Sequence, residues 1–329
     1  MLPGVAVATA LAGVATLLGG PLPLIGAPVI GILLGLLLSP VARRLPVLRP
    51  GTRFSGHTVL QLAVVALGTQ LSLRQVAEVG VSSLPVMLGT LAICLAAAYL
   101  LGHALKVDSD LRTLIGVGTG ICGASAIAAV TPVIRARNAT VSYAVSTIFL
   151  FNVAAVLVFP HLGYLLRLDQ HHFGLFAGTA VNDTSSVVAA ATSYGEEAAN
   201  YAVVVKLTRT LMIIPICLVL AAIVGRRQRV GTGRDGPARR VMAAIRLVPW
   251  FLVAFLGAAA VNSAGWVSAA RQAQLHVLAT FLITVALTAI GLSTDVEGIR
   301  RAGVRPLLLG LILWVVVAVS SLVLILLTR

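Results

Sequence analysis

Three ionisable residues, Asp183, Lys206 and Arg209, fall inside long apolar runs of a chain whose other charges sit almost entirely between such runs. The chain is 59% hydrophobic and 10% charged, with mean hydropathy +1.03, so lipid is its main solvent. An ionisable side chain at the centre of a bilayer costs about 2.5–3.5 kcal/mol on insertion scales. Such residues persist where they face a cavity or a partner inside the protein, which makes them the first place to look for chemistry. Lys206 and Arg209 are three residues apart and share one helical face. Asp183 is the acid at comparable depth, and pairing it with Lys206 or Arg209 would tie two helices in register. One carboxylate leaves one positive charge over, and positive charge beside helix N-termini is what an anion site requires.

Two further stretches lie at the same depth. Gly118-Thr119-Gly120-Ile121-Cys122-Gly123, followed by Ser125, sets three glycines within six residues of an apolar run. Each glycine weakens a helix by up to about 1 kcal/mol relative to alanine. A break is therefore expected here, with the half-helix from Ala124 aiming free N–H groups at a ligand. The alternative is close helix packing through small residues. The stretch also matches the dinucleotide fingerprint G-x-G-x-x-G, but no Asp or Glu occurs between Asp110 and Asp169 to hold a ribose, and the flanks are membrane-length. The second stretch, Asn182-Asp183-Thr184-Ser185-Ser186, is five consecutive polar residues in mid-span. Polar groups left unpaired in hydrocarbon are costly, so these should line a cavity. The candidate substrate-binding set is Gly118, Thr119, Gly120, Cys122, Gly123, Ser125, Asn182, Asp183, Thr184, Ser185, Lys206 and Arg209.

The elements that must carry these residues follow from length. A crossing takes about 20 apolar residues. Apolar segments fall near 4–19, 22–40, 57–76, 83–105, 111–134, 139–163, 171–195, 198–225, 243–262, 274–298 and 305–327. The first is short and ends at Gly19-Gly20-Pro21, so the expectation is an all-α polytopic membrane protein of ten to eleven transmembrane helices, 1–329 forming one transmembrane domain with no soluble domain. Ala6-Val7-Ala8 resembles a signal cleavage site but comes before an apolar core and follows no basic residue, so a first membrane helix is the better reading. Two echoes suggest internal repeats. A shift of sixty residues lays Gly118-Thr119 on Gly178-Thr179 and Ser125 on Ser185, and Leu71-Ser72 echoes Leu292-Ser293. The second pair crosses in opposite directions, as an inverted repeat demands, whereas the first is parallel. Both fit one inverted duplication only if a Gly-rich segment is re-entrant.

The formal charge of +14 is not a nucleic-acid signature, because the arginines cluster in the loops of a membrane chain. With alternating crossings, seventeen basic residues fall on one side, including the groups Arg43–Arg53, Arg226–Arg246 and Arg300–Arg305, together with Lys106, Arg112 and Arg167. Five fall on the other, among them Arg135 and Arg137, which dissent from the pattern. The rich side is cytoplasmic by the positive-inside rule, placing the N-terminus inside. Trp250 and Trp266, about 24 Å apart at helical rise, suit the two aromatic belts. Cys94, Cys122 and Cys217 all lie in apolar segments and make no disulfide framework. His171 and His172 read as a solvated or headgroup-level pair, and no metal or cofactor is expected.

The blocks GTGICGASAIAA, NDTSSVVAAATSYG, VVKLTR and AIGLSTD resemble the signature blocks of the YeiH-type family of bacterial inner-membrane proteins, to which sulfate export is ascribed. The resemblance runs from about Gly51 to Asp295. It implies a secondary transporter of the cytoplasmic membrane that exports a small anion, sulfate or a related sulfur or organic anion, and is grouped with inverted-repeat transporters having discontinuous core helices. Partners are then the lipid bilayer, the anion and a coupling H⁺ or Na⁺, with homo-oligomerisation open. No P-loop occurs, so ATP-driven transport would need another subunit. A cation/proton antiporter using Asp183 and Lys206 is the rival. A membrane-embedded enzyme lacks a nucleophile–base pair or metal set in the spans.

Overall fold

A computed structural model describes residues 1–19, 26–217, 219–220, 250–293 and 304–328, and every described element is helical. The Arg226–Arg246 group, Asp295, Arg300, Arg301 and Gly303 lie outside the described residues. In chain order the helices are α1 (Leu2–Gly19), α2 (Gly26–Arg44), α3 (Arg49–Phe54), α4 (Leu60–Gly68), α5 (Leu73–Ala104), α6 (Ser109–Gly120), α7 (Ala124–Ile134), α8 (Asn138–Leu165), α9 (Gln170–Ala180), α10 (Thr184–Tyr194), α11 (Glu196–Thr210), α12 (Trp250–Ser263), α13 (Ala269–Ser293) and α14 (Val304–Leu327). A π-helical turn, Ser55–Val59, joins α3 to α4. Seven of the described helices are long and apolar enough to cross a membrane. The protein is an all-α polytopic membrane protein.

The helices pack as two bundles. One, the panel, comprises α1, α2, α3–α4, α12 and α13. Its tightest seam is α2 against α13, where a Cβ on Gly35 would stand 2.3 Å from the Thr288 carbonyl and one on Gly291 2.5 Å from the Ile32 carbonyl. Small residues bring these backbones together where lipid supplies no hydrophobic drive between helices. The other bundle, the core, comprises α5 to α11 and α14. The bundles meet chiefly through α10, whose Val188 and Ala189 join an apolar cluster with Val29 and Ile32 of α2 and Ile283 and Leu287 of α13.

Contacts within the core fix the direction of each helix. Leu309 of α14 packs at Gly102 and Leu324 at Gly89, so α14 runs antiparallel to α5. Thr147 and Phe151 of α8 lie against Gly310, and the Phe159 ring stacks on Trp314 at 5.2 Å, so α8 runs parallel to α14. Helix α8 therefore starts at the face where α5 ends. Helix α6 starts there too, with Arg112 packed on Gly102. The intervening α6–α7 pair thus enters and leaves by one face. Accordingly a Cβ on Gly118 would stand 3.0 Å from Ile127 Cδ1, whereas a straight helix would hold these residues about 13 Å apart.

The α9–α10 pair also doubles back, at the opposite face. The Phe173 ring stacks on Tyr194 with centroids 3.8 Å apart, although a straight helix would separate them by about 31 Å. The Tyr194 hydroxyl donates to the Leu168 carbonyl, and the Gln170 side chain accepts from the backbone N–H groups of Glu197 and Ala198 at 3.0 and 3.3 Å. The structure thereby refines the sequence reading. Segments 111–134 and 171–195 are hairpins rather than crossings, and because they enter from opposite faces the sixty-residue echo is itself inverted.

Candidate functional site

Each hairpin turns at the residues the sequence singled out. Helix α6 stops at Gly120, and Gly123 takes φ +67°, a left-handed conformation that glycine tolerates without strain. Helix α9 stops at Ala180, and Asn182-Asp183 carry the chain into α10. The two tips touch: a Cβ on Gly123 would stand 3.2 Å from the Asp183 Cβ.

The tips meet beside a cavity of about 190 Å³. From the core it is lined by Ala124 and Ser125 at the start of α7, by Asp183, Thr184 and Ser185 at the start of α10, and by Asn152 of α8. The panel contributes His57 from the π-helical turn, Gln61, Phe251 and Ile290. The cavity therefore lies on the boundary between the two bundles.

The helix ends around it are not alike. Asp183 caps α10, its carboxylate accepting from the Ser185 N–H at 3.0 Å and from the Ser185 hydroxyl, while its own N–H donates to Asn152 Oδ1 at 3.2 Å. Asp108 caps α6 and Asp169 caps α9 in the same manner. Gly123 gives α7 no side-chain cap, although Ala124 and Ser125 are exposed to the cavity. The Cys122 sulfur accepts from the Ala126 N–H, so the N–H groups of Ala124 and Ser125, with the positive end of the helix dipole, are what is left for something else to satisfy.

Lys206 and Arg209 do not line the cavity; both are completely buried behind the tips. The expected Asp183–Lys206 or Asp183–Arg209 ion pair does not form among the described residues. Lys206 Nζ instead donates to the carbonyls of Ile121 at 2.9 Å and Val181 at 2.7 Å, the residues that end α6 and α9. Arg209 Nη1 donates to the Thr179 carbonyl in the last turn of α9. The physical reason for Lys206 is the helix dipole: each carbonyl end carries about half a negative charge, so an ammonium between two of them needs no carboxylate. Arg209 has the one carbonyl, and its Nε and Nη2 are buried with no hydrogen-bond partner among the described residues. The candidate set therefore divides. Ser125, Asp183, Thr184 and Ser185 face the cavity, and Gly123 forms one tip behind it. Gly118, Thr119, Gly120, Cys122 and Asn182 are buried in the walls, where Gly118 packs on Ile148 and Gly120 on Leu91.

Sequence reasoning missed His57, Gln61 and Asn152. Gln61 and Asn152 are solitary polar residues in apolar runs and His57 sits in the polar entry Ser55-Gly56-His57-Thr58, and the spacing of His57 and Gln61 by one helical turn was the available signal. In the structure their side chains lie 3.2 Å apart, and Gln61 also accepts from the Trp250 indole at 3.0 Å.

The family described as "Conserved hypothetical protein 698" matches residues 3–310. A UPF0324 membrane protein of Clostridium tetani is 40% identical over 301 residues, covering 90% of this chain and 87% of that one. One from Streptococcus pyogenes serotype M3 is 42% identical over 326 residues, covering 98% and 95%, and one from Streptococcus pneumoniae is 43% identical over 304, covering 90% and 88%. No solved structure matches. The chain belongs to the UPF0324 family of membrane proteins.

Proposed function

We propose that the protein is a secondary transporter of the bacterial cytoplasmic membrane that exports a small anion, sulfate being the first candidate, with H⁺ or Na⁺ as coupling ion. One observation carries the reading: hairpins from opposite faces bring two half-helix N-termini to a single cavity at the boundary of two bundles. Discontinuous helices meeting at mid-membrane, where one bundle can move against another, suit alternating access. The uncapped start of α7 offers the anion backbone N–H groups and the Ser125 hydroxyl. Asp183 and Ser185 on the facing tip, with Asn152 of α8 beside them, offer oxygen atoms to a proton or sodium ion. Anion and cation bound side by side would screen one another, and either alone would be held less well.

A second reading, cation/proton antiport, is favoured by Asp183 being the carboxylate on the cavity wall while both buried cations lie behind it. Purified protein in proteoliposomes separates the two. Screening inorganic and organic anions under imposed pH and Na⁺ gradients should give uptake that requires one of the anions. Gradient dissipation of equal rate with every anion, including a large impermeant one, would overturn the anion reading in favour of antiport.

The hairpins support an orientation with the N-terminus inside. With α6–α7 doubled back, Arg135 and Arg137 join the side of Lys106 and Arg112, and Arg167 moves to the other. Eighteen basic residues then face four, and the former dissenters fit the positive-inside rule. The N-terminus is inside. In a background free of native cysteines, Cys at Ala136 and Gly231 should react with an impermeant reagent from the cytoplasmic side, and Cys at Gly195 from the other. Labelling of Ala136 from the same side as Gly195 would remove the re-entrant first hairpin.

A further inference from the structure

Lys206 is buried without a carboxylate, and the place it occupies accounts for that. Its two acceptors, Ile121 and Val181, are sixty residues apart and correspond in the inverted echo, so the ammonium lies where the two repeats meet. Both carbonyls belong to the residue following the last residue of a half-helix, beyond the reach of an intrahelical donor. Two carbonyl ends of about half a negative charge each sum to the single positive charge of one lysine. A compact ammonium with three donors can serve both at once.

We infer that Lys206 is the joint that makes the two hairpin tips one moving body. It is a positioning residue for the cavity and not a ligand for the anion, a role that rests on the transporter reading above. The consequence is mechanical. Hairpins anchored at opposite faces would, if independent, part at their tips and open the cavity to both sides together. Joined at Ile121 and Val181, they carry the start of α7 and the start of α10 across as a unit, so the two half-sites keep their spacing. Arg209 braces α9 at Thr179 and does not bridge the tips.

The test is hydrogen exchange on purified full-length protein in lipid nanodiscs, with no substrate added. Three amides report the tips: Ile121 N–H on the Val117 carbonyl, Gly123 N–H on that of Gly118, and Val181 N–H on that of Ala177. In Lys206→Met, which keeps length and removes the donors, peptides covering all three should exchange about tenfold faster together, while the α2–α13 seam is unchanged. Lys206→Arg should restore slow exchange, and Asp183→Asn should leave Ile121 and Gly123 as in the wild type. Lys206→Gln serves if the methionine variant does not fold. In proteoliposomes, Lys206→Met should leak sulfate without a driving gradient, and Lys206→Arg should not. Faster exchange on one hairpin alone, no change in Lys206→Met, or Asp183→Asn reproducing the effect at Ile121 would each overturn the joint. Intact joint behaviour in a wild-type protein that moves no anion would overturn the transport reading alone.

Discussion

The two hairpins follow the same path and differ at the tip. Each enters one face as a half-helix of eleven or twelve residues, turns, and returns as a half-helix of eleven. At corresponding positions the first tip carries Gly123 and the second Asp183. Asp183 spends its carboxylate on its own helix; Gly123 leaves its helix open. The hairpins agree at Gly118-Thr119 with Gly178-Thr179 and at Ser125 with Ser185, and differ at the five positions between, so one path through the fold presents two unlike tips to the cavity. Making the tips more alike is the sharpest way to test what that difference does.

Asp183→Gly removes from the second tip the capping carboxylate that the first tip lacks. Glycine is a serviceable N-cap, a few tenths of a kcal/mol worse than aspartate, so folding should survive. Dependence of sulfate flux on pH or Na⁺ should be lost, with net flux down about a hundredfold, roughly the 2.7 kcal/mol of one lost charged ligand. Coupled flux at wild-type rate would show that the tips differ without functional consequence. The next largest effect is expected from Gly123→Ala. A side chain at φ +67° is strained by about 1–2 kcal/mol, and its Cβ would press on Asp183. Thermal denaturation should register that loss, and anion flux should fall about tenfold. Normal flux with reduced stability would mean that the glycine serves packing alone.

Ser125→Ala and Ser185→Ala make a matched pair of smaller changes. The first removes a hydroxyl from the open tip and should raise the KM for the anion by about tenfold or less; the second removes a bond to Asp183 and should shift the coupling-ion dependence instead. An identical response in both variants would erase the distinction between half-sites. The smallest effect is expected at the base of the second hairpin. The backbone N–H of His172, with its imidazole, holds the Asp169 carboxyl below the usual carboxylate range. A depressed pKa contributes stability above the unfolded value that is lost as pH falls through the folded one. Melting temperature should therefore drop slightly as pH is lowered below about 4, and Asp169→Asn should flatten that drop by lowering stability near neutrality by the same small amount. An unchanged slope in the variant would show that Asp169 contributes nothing there.

Much of this molecule was legible in its residues, and the part that was not has a common cause. Apolar run length located the helices, and the glycines of 118–123 and the polar run 182–186 located both turns, because those residues act on their own backbone. Whether a segment crosses or returns depends on contacts between residues far apart in sequence, such as Phe173 with Tyr194, and hydropathy carries no direction. Arg135 and Arg137, out of place in an alternating topology, were the one local trace of the first return. The partner of Lys206 was illegible for a related reason. Every residue has a carbonyl, so a sequence cannot mark the two that have lost their donors. His57, Gln61 and Asn152 were missed because a polar residue at the edge of an apolar run, or alone within one, becomes informative only when a second element faces it.

The π-helical turn at Ser55–Val59 fits one more residue into its turn than an α-helix would. An inserted residue accommodated this way leaves the helix on either side in phase with its neighbours. Deleting one residue from 55–59 should therefore be tolerated by the fold, since α3 and α4 would fuse into a regular helix against α13. The residue at the His57 position would then no longer bulge toward the cavity. The panel's share of the cavity wall can thus be switched by a change in chain length, a form of variation that comparison of side chains at fixed positions would overlook.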